Sequence, residues 1–178
     1  MEVIDYKGYR FLKVCESPNI VISLNSAKQF CNLSEEGKQD LLNQAFGLSA
    51  FNEFTQVHGT SIFNLDLNTK EYDGYIEREQ NVANAIRTAD CIPLILWNER
   101  NKLIIGLHCG WRGIASGIIE KALQNDELSV DPVIFIVFRR NPCVCNGSGS
   151  GLEIFDFGPE PRKHKKLRKK IAPGHDFP

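Results

Sequence analysis

Two almost wholly apolar runs, separated by a short polar segment, constrain this fold more than any other feature of the chain. They are Ile92–Trp97 and Leu103–Leu107, and the polar or charged residues Asn98–Lys102 lie between them. Runs without polar alternation are typical of strands that are covered on both faces, and a polar connection of this size suits a hairpin. The sequence therefore predicts a β-sheet with these two strands at its centre and further layers on either side.

Further strands and two helices are predicted around this hairpin. Ser34 suits the N-cap of a helix with Glu35 and Glu36 in its first turn, and Gly47 suits its end. A second helix is predicted over Ile114–Gln124, directly after the hairpin. The other strands are predicted at Tyr9–Val14, Ile20–Leu24, Phe54–Val57, Ser61–Leu65, Gly74–Ile76, Val82–Arg87 and Pro132–Phe138. This mixture of elements indicates an α/β fold.

Length and composition limit the class of protein. The chain has 178 residues, 42% of them hydrophobic and 24% charged, which is ordinary for a globular protein with one sizeable core. We expect a single domain over residues 1–145, incomplete at its C-terminal end, and a disordered basic tail over residues 146–178. No segment reaches the roughly 18 apolar residues of a membrane span, and the N-terminus lacks a signal-peptide pattern. We therefore expect a cytoplasmic protein that has no membrane partner.

The formal net charge of −1 is unevenly distributed along the chain. Residues 159–178 hold seven Lys or Arg and two Asp or Glu, so this segment carries about +5 and the preceding residues about −6. A folded body of negative charge argues against a specific nucleic-acid-binding surface, because phosphate neutralisation needs clustered cations. No specific nucleic-acid partner is therefore expected.

Three short segments carry side chains that could perform chemistry. His58 ends a predicted strand at a glycine turn, Cys91 lies in the break between two strands, and His108 precedes a turn into a helix. A hydrogen-bonded structural histidine and a small buried cysteine remain alternatives for these residues. Two imidazoles and a thiolate form a three-ligand set for Zn²⁺ that leaves the fourth position open. Separations of 33 and 17 residues match no compact zinc finger, so spacing alone leaves the metal open.

The junction after the second apolar strand combines several polar side chains. Strand alternation sends His108 and Cys109 to opposite faces, so Cys109 is assigned to the core. The turn at Gly110–Gly113 leads a strand into a helix N-terminus, which is a suitable anion site. Arg112 could clamp a phosphate or carboxylate there, or form a surface salt bridge. The six cysteines are too irregular for a disulfide scaffold, and Cys143–Cys145 lacks a partner pair for zinc.

These segments resemble the laccase-domain family, also called the YfiH-like family. Its motifs QVHG, TADC-x-P and H-x-GWRG stand here in order, at residues 56–59, 88–93 and 108–113. An acidic loop, Tyr72-Asp73-Gly74, is also similar to the family's, and the similarity covers roughly residues 50–136. The resemblance implies a layered α/β sandwich of mixed β-sheets with flanking helices.

The resemblance also implies a ligand set and an activity. It implies that His58, Cys91 and His108 bind zinc, with copper as the alternative metal. Cys91, His108 and Arg112 would be catalytic, while Arg112 and Gly113 would bind phosphate. The implied reactions are phosphorolysis of adenosine, inosine or methylthioadenosine to the base and ribose 1-phosphate, and deamination of adenosine. Purine nucleoside and phosphate are the expected partners, and a homodimer is left open.

Two departures from the family pattern keep other functions open. Residues Asn25–Asn32 stand where the family usually has an Arg- and Gly-rich loop, and strands expected after about residue 138 are not found. The chain could therefore be an inactive, truncated member. Cys91 could instead be the nucleophile of a hydrolase that edits peptidoglycan precursors, which needs a lowered thiol pKa. A copper polyphenol oxidase is the third alternative, for which a single His/Cys/His set is thin support.

Overall fold

A computed structural model describes residues 2–16, 19–24, 29–30, 32–66, 69–124, 134–137 and 152–156 of the chain. The helices, in chain order, are α1 (Glu35–Phe46), α2 (Trp111–Ala115) and α3 (Ile118–Leu123). The strands are β1 (Glu2–Tyr6), β2 (Tyr9–Glu16), β3 (Asn19–Ser23), β4 (Ala50–Glu53), β5 (Ile62–Phe63), β6 (Gly74–Glu77), β7 (Val82–Thr88), β8 (Ile92–Asn98), β9 (Leu103–Cys109), β10 (Ile134–Val137) and β11 (Leu152–Asp156).

The strands form two sheets that pack face to face between helices. The six-stranded sheet has the order β1-β2-β3-β11-β7-β4, and the five-stranded sheet has the order β10-β8-β9-β6-β5. Tyr75, Ile86 and Trp97 belong to the apolar cluster between the two sheets. Leu42 of α1 packs on the outer side of the first sheet, and Ile118 of α3 packs on the outer side of the second. The predicted layered α/β sandwich of mixed sheets is confirmed, with parallel pairs β4–β7 and β5–β6 among antiparallel ones.

As predicted, the hairpin formed by the two apolar runs lies in the interior of its sheet. β8 and β9 pair in antiparallel register from Ile92 opposite Cys109 to Asn98 opposite Leu103. Both strands have a neighbour on each side, and every residue of β9 is buried. Because both faces are covered, almost no polar residue is tolerated within them.

Helix α1 begins and ends at the predicted residues. The Ser34 side chain accepts a hydrogen bond from the Gly37 amide at 3.1 Å, which satisfies a donor that the first turn leaves without a partner. Gly47 adopts a left-handed φ of 73°, and its amide donates to the Asn43 carbonyl. None of the helices in the described residues has the length and apolar character needed to cross a bilayer.

The strand predicted at Phe54–Val57 is wrong, because β4 ends at Glu53. Beyond that point the Gln56 side chain replaces backbone pairing with β7. Its Nε2 donates to the Arg87 carbonyl at 2.9 Å, and its Oε1 accepts from the Arg87 amide at 2.8 Å. The backbone amides of residues 57–59 do not pair with β7. The Gln56 side chain therefore decides where β4 ends.

The predicted helix over Ile114–Gln124 is two short helices, and it begins earlier than expected. Gly110 caps α2, whose first helical bond runs from the Ile114 amide to the Gly110 carbonyl. Gly117 has a left-handed φ of 87° and separates α2 from α3. The strand predicted at Ser61–Leu65 is also shorter than expected, because the amides of Leu65 and Asp66 turn back to the Ile62 carbonyl.

Part of the segment predicted to be a disordered tail instead forms a strand, β11. Leu152–Asp156 lies between β3 and β7 and pairs antiparallel with both. Its apolar residues have high strand propensity, and pairing on both sides satisfies backbone groups that two open sheet edges would otherwise expose. The other residues of the predicted tail and the Cys143–Cys145 pair lie outside the described residues, and the domain boundary at residue 145 stays a prediction.

Candidate metal centre

The three predicted ligands come together at one end of the five-stranded sheet. His58 lies in the loop after β4, Cys91 directly precedes β8, and His108 is the penultimate residue of β9. One donor atom from each side chain lies within 4.8 Å of the other two. Residues that are 33 and 17 positions apart in the sequence thus form a single cluster.

A buried carboxylate, Asp73, holds the loop that carries His58. Asp73 is 1% exposed and directly precedes β6. Its Oδ2 accepts hydrogen bonds from the amides of Val57 at 3.1 Å and Gly59 at 2.7 Å, and its Oδ1 accepts from the His58 amide at 2.9 Å. His58 itself has a left-handed φ of 62°, which is uncommon for a residue with a side chain. Three amides that converge on one carboxylate make this conformation favourable.

Asp73 also orients the second histidine. Nδ1 of His108 donates to Asp73 Oδ1 at 2.8 Å, and both side chains are buried. Since a carboxylate only accepts, the proton lies on Nδ1, and Nε2 is the nitrogen that can bind a metal. Burial acts to raise the pKa of Asp73, but the hydrogen bonds from His108 and the three amides hold the pKa below its ordinary value. Asp73 is therefore an ionised carboxylate when it accepts the hydrogen bond from the His108 imidazole.

Sequence reasoning assigned Asp73 no chemical role, although Tyr72-Asp73-Gly74 contributed to the family resemblance. An acidic residue directly before a short buried strand was the available signal. A carboxylate–histidine pair of this kind is the usual support for a metal-binding imidazole. The structure thus adds a positioning residue to the predicted set.

The two described thiols have different surroundings. Cys91 Sγ lies 3.4 Å from His58 Nε2, and its pKa is raised by burial and by the nearby carboxylates of Asp90 and Asp73. Cys109 belongs to the apolar cluster on the other face of the sheet, where burial raises its pKa to about 12. The predicted alternation of His108 and Cys109 is confirmed, and Cys91 is the thiol beside both imidazoles.

Two glycines allow the strand-to-helix junction to approach the His58 loop. A Cβ atom on Gly110 would lie 2.3 Å from His58 Cδ2 and 3.3 Å from Cys91 Sγ. A Cβ atom on Gly113 would lie 2.8 Å from the Gly59 carbonyl oxygen. Arg112, between them, is exposed, and its guanidinium lies 5.3 Å from the centre of the Trp111 ring. Gly110 therefore borders the cluster, and Arg112 is exposed at the same junction.

The donor set is chemically suited to a metal ion. Two neutral imidazoles and a thiolate are common zinc ligands, and they also suit copper(I). A tetrahedral zinc ion with bonds of about 2.0–2.3 Å keeps its ligand atoms roughly 3.3–3.8 Å apart. Cys91 Sγ and His58 Nε2 are 3.4 Å apart, and all three donor atoms lie within 4.8 Å of one another. The carboxylates near Cys91 would also favour a bound cation. The group can hold a metal, and the donors alone do not identify which one.

Comparison with known families gives one match that covers most of the chain. The family described as multi-copper polyphenol oxidoreductase laccase matches residues 25–147. This range includes all three clustered residues and the buried carboxylate.

Several relatives carry the name purine nucleoside phosphorylase, among them proteins from Rickettsia conorii and Aquifex aeolicus. The one from Rickettsia conorii is 39% identical over 90 residues, which cover 44% of this chain and 38% of the relative. The one from Aquifex aeolicus is 35% identical over 86 residues, which cover 48% of this chain and 41% of the relative. The chain thus spans about two fifths of the length of these relatives.

Solved structures with the same fold are more distant in sequence. YlmD from Geobacillus stearothermophilus has a TM-score of 0.52 at 20% identity, covering 78% of this chain and 65% of that one. The YfiH protein of Bacillus licheniformis has a TM-score of 0.51 at 17% identity, covering 74% of this chain and 64% of that one. At such identities the likeness concerns the fold alone.

Proposed function

The chain belongs to the multi-copper polyphenol oxidoreductase laccase family, and from that membership we propose that it is a zinc-dependent purine nucleoside phosphorylase. The observation that carries the proposal is the convergence of His58, Cys91 and His108 beside a buried carboxylate. The names of the relatives support the reaction class. Adenosine, inosine or methylthioadenosine are the proposed substrates, and deamination of adenosine is a proposed second activity.

Both reactions need an oxygen nucleophile and a leaving group. In phosphorolysis, a phosphate oxygen forms a bond to C1′ of the ribose while the bond between C1′ and the purine nitrogen breaks. The electron pair of that bond stays with the base, which takes up a proton, and the products are free base and ribose 1-phosphate. In deamination, a water oxygen bonds to C6 of adenine and the amino group leaves as ammonia. A site that positions an oxygen and stabilises developing charge suits both.

The proposed metal ligands are His58, Cys91 and His108. When bound, zinc supplies Lewis-acid polarisation and lowers the pKa of a coordinated water. Asp73 acts through His108, since it keeps the proton on Nδ1 and leaves Nε2 available. Gly110 contributes by lacking a side chain, because a Cβ atom there would collide with the His58 ring and crowd the Cys91 thiol.

Arg112 and Gly113 are the proposed phosphate-binding residues. Arg112 follows Gly110 by two positions, and Gly110 borders both His58 and Cys91. An exposed guanidinium can form two parallel hydrogen bonds with a phosphate, which orients the anion as well as attracting it. The proposed role of Arg112 is therefore to hold phosphate next to the three ligands.

The surroundings of Cys91 argue against the cysteine hydrolase. A nucleophilic cysteine needs a lowered pKa, but burial and the carboxylates of Asp90 and Asp73 raise the pKa of this thiol. A copper polyphenol oxidase remains testable through the identity of the metal. An inactive family member remains testable through turnover.

The test is bound metal and turnover on the same preparations. Metal is measured in the purified protein, in Cys91→Ala and in the control Cys109→Ala, which removes the thiol on the other face of the sheet. We expect about one zinc per chain in the protein and the control. Phosphate-dependent release of adenine from adenosine should follow the metal content and be lost in Cys91→Ala.

Each other outcome selects an alternative. Copper with oxidation of phenols would favour the oxidase, and metal without turnover would identify an inactive member. A Cys91→Ala variant that keeps its metal and its activity would reject the proposed centre.

A further inference from the structure

Two carboxylates lie close to the Cys91 thiol, and they differ in exposure. Asp73 is 1% exposed, whereas Asp90 lies at the surface, in the short break between β7 and β8. Oδ1 of Asp90 is 3.8 Å from Cys91 Sγ and accepts a hydrogen bond from that thiol. Asp90 is thus an exposed acidic group that directly adjoins the candidate metal centre.

The acceptor capacity of Asp73 is already used within the protein. A carboxylate has about four lone-pair positions, and the two oxygens of Asp73 accept from three backbone amides and from the His108 imidazole. With these bonds and its burial, Asp73 has no position left for a substrate group. Its role is therefore confined to holding the ligands.

The acceptor capacity of Asp90 is almost unused. Among the residues that the structure describes, the Cys91 thiol is its only hydrogen-bond or ion-pair partner. A thiol is a weak donor, and its proton is lost when Cys91 binds a metal as the thiolate. With a metal bound, the Asp90 carboxylate has acceptors beside the centre for which the described residues supply no donor.

The two arginines nearest to this part of the site have other contacts. Arg87, which comes shortly before Asp90 in the chain, pairs with Glu53 at 3.1 Å. The Arg112 guanidinium lies over the Trp111 ring, 5.3 Å from its centre. Asp90 and Arg112 are therefore an exposed anion and an exposed cation that are not paired with each other, so each can bind a different part of one ligand.

Neutral hydroxyl groups suit Asp90 better than phosphate does. A carboxylate repels phosphate oxygens and accepts from hydroxyl protons, whereas the Arg112 guanidinium has only donors. In a nucleoside, the 2′-hydroxyl is carried by the carbon next to C1′, which is the atom at which phosphorolysis takes place. A ribose whose C1′ faces the metal centre thus brings this hydroxyl close to the ligands, while the amino or oxo group of the purine lies on the far side of the base.

We propose that Asp90 accepts hydrogen bonds from the 2′- and 3′-hydroxyls of the ribose and so selects ribonucleosides over 2′-deoxyribonucleosides. Phosphate is left to Arg112, which has the opposite charge. The assignment rests on the proposed function for the identity of the substrate and on the unused acceptors of Asp90 for its place.

The experiment measures nucleoside binding without turnover. Inosine and 2′-deoxyinosine are titrated by calorimetry, in the absence of phosphate, into the metal-loaded chain, into Asp90→Ala and into the control Asp40→Ala. Asp40 is an exposed aspartate of α1, which packs on the outer side of the six-stranded sheet. Neither proposed reaction occurs under these conditions, because phosphate is omitted and inosine has no amino group to remove.

The unchanged chain and the control should bind inosine about tenfold more tightly than 2′-deoxyinosine, because hydrogen bonds to a carboxylate are stronger than those to neutral acceptors. Asp90→Ala should bind both nucleosides with the weaker affinity. Equal affinity of the unchanged chain for the two nucleosides would overturn the proposal. A preference that persists in Asp90→Ala would overturn it as well, even if both affinities had fallen.

A second measurement does not depend on a variant next to a metal ligand. Amide chemical shifts of the unchanged, metal-loaded chain are recorded while each nucleoside is added to saturation. Inosine should shift the amides of residues 89–91, and 2′-deoxyinosine should shift them less. Identical shifts in this segment would reject the ribose site, including the case in which Asp90→Ala has lost its metal.

Turnover separates this proposal from the proposed function. A chain that prefers inosine through Asp90 but releases no hypoxanthine when phosphate is added keeps the ribose site and is not a phosphorylase. A chain that cleaves inosine and 2′-deoxyinosine equally well, with or without the Asp90 carboxylate, is a phosphorylase for which the ribose site is wrong.

Discussion

The two ends of strand β6 each carry a buried carboxylate, but the two carboxylates are used differently. Asp73, before the strand, is 1% exposed, and Glu77, at its last residue, is 5% exposed. Asp73 accepts from three backbone amides and from the imidazole of His108. Glu77 accepts from the amides of Arg78 and Glu79 and from the amide side chain of Asn84.

The difference lies in the side-chain partner. Asn84 is a neutral amide whose other end contacts Asn52, so the Glu77 network is closed on itself and is structural. His108 has a second nitrogen that is directed to the cluster with His58 and Cys91. One buried carboxylate therefore stabilises the fold, while the other also orients a potential ligand. Four substitutions test this contrast.

Asp73→Asn should have the largest effect. Each oxygen of Asp73 accepts from two donors, so an amide nitrogen in either position would face N–H groups. We expect metal affinity to fall about 10–100-fold and the free energy of unfolding to fall by about 3 kcal/mol or more. Chelator competition and denaturant unfolding measure the two effects. Unchanged metal affinity would remove the distinction between the two ends of β6.

Gly110→Ala tests whether ligand geometry matters independently of Asp73. The added Cβ would lie 2.3 Å from His58 Cδ2 and 3.3 Å from Cys91 Sγ, so the His58 ring must move from its present position. We expect loss of metal and a cost of about 1–3 kcal/mol in unfolding free energy. The matched control is Gly106→Ala, whose Cβ would lie 2.2 Å from the Tyr75 ring. The control should be destabilised but keep its metal; metal loss in both would point to general unfolding.

Glu77→Gln should affect stability alone. The amide nitrogen of the new side chain would face the Asn84 amide group, which breaks the link through Asn84 to Asn52. We expect a loss of about 1–2 kcal/mol in unfolding free energy and no change in metal affinity. The same chelator competition checks the second expectation. A weaker metal site in this variant would mean that both ends of β6 support the centre.

Asp66→Asn tests a carboxylate that is partly exposed, for comparison with the buried carboxylates of Asp73 and Glu77. Asp66 accepts from the Ile62 amide and pairs with Lys121 at 2.6 Å. Burial acts to raise its pKa, but these partners hold the pKa below its ordinary value. Such a group stabilises the fold above the ordinary carboxyl pKa of about 4, and the contribution disappears as pH falls through the lowered value. We expect a loss of about 0.5 kcal/mol at neutral pH that vanishes in acid unfolding curves.

Elements with a local physical cause could be predicted from the sequence. Helix α1 follows from Ser34 and Gly47 because capping involves only neighbouring residues. The β8–β9 hairpin follows from two apolar runs because burial on both faces excludes polar residues. The end of β4 could not be predicted, since it depends on the Gln56 side chain bonding to a strand about 30 residues away.

The sequence by itself determined which side chains could bind a metal, and that His108 and Cys109 face opposite ways, because donor chemistry and strand alternation are properties of the chain. Only the tertiary structure decided that His58, Cys91 and His108 meet, and that Asp73 holds two of them. The physical reason is that a buried carboxylate collects its donors through space. The amides of residues 57–59 and the His108 imidazole reach Asp73 only once the sheet has brought them together.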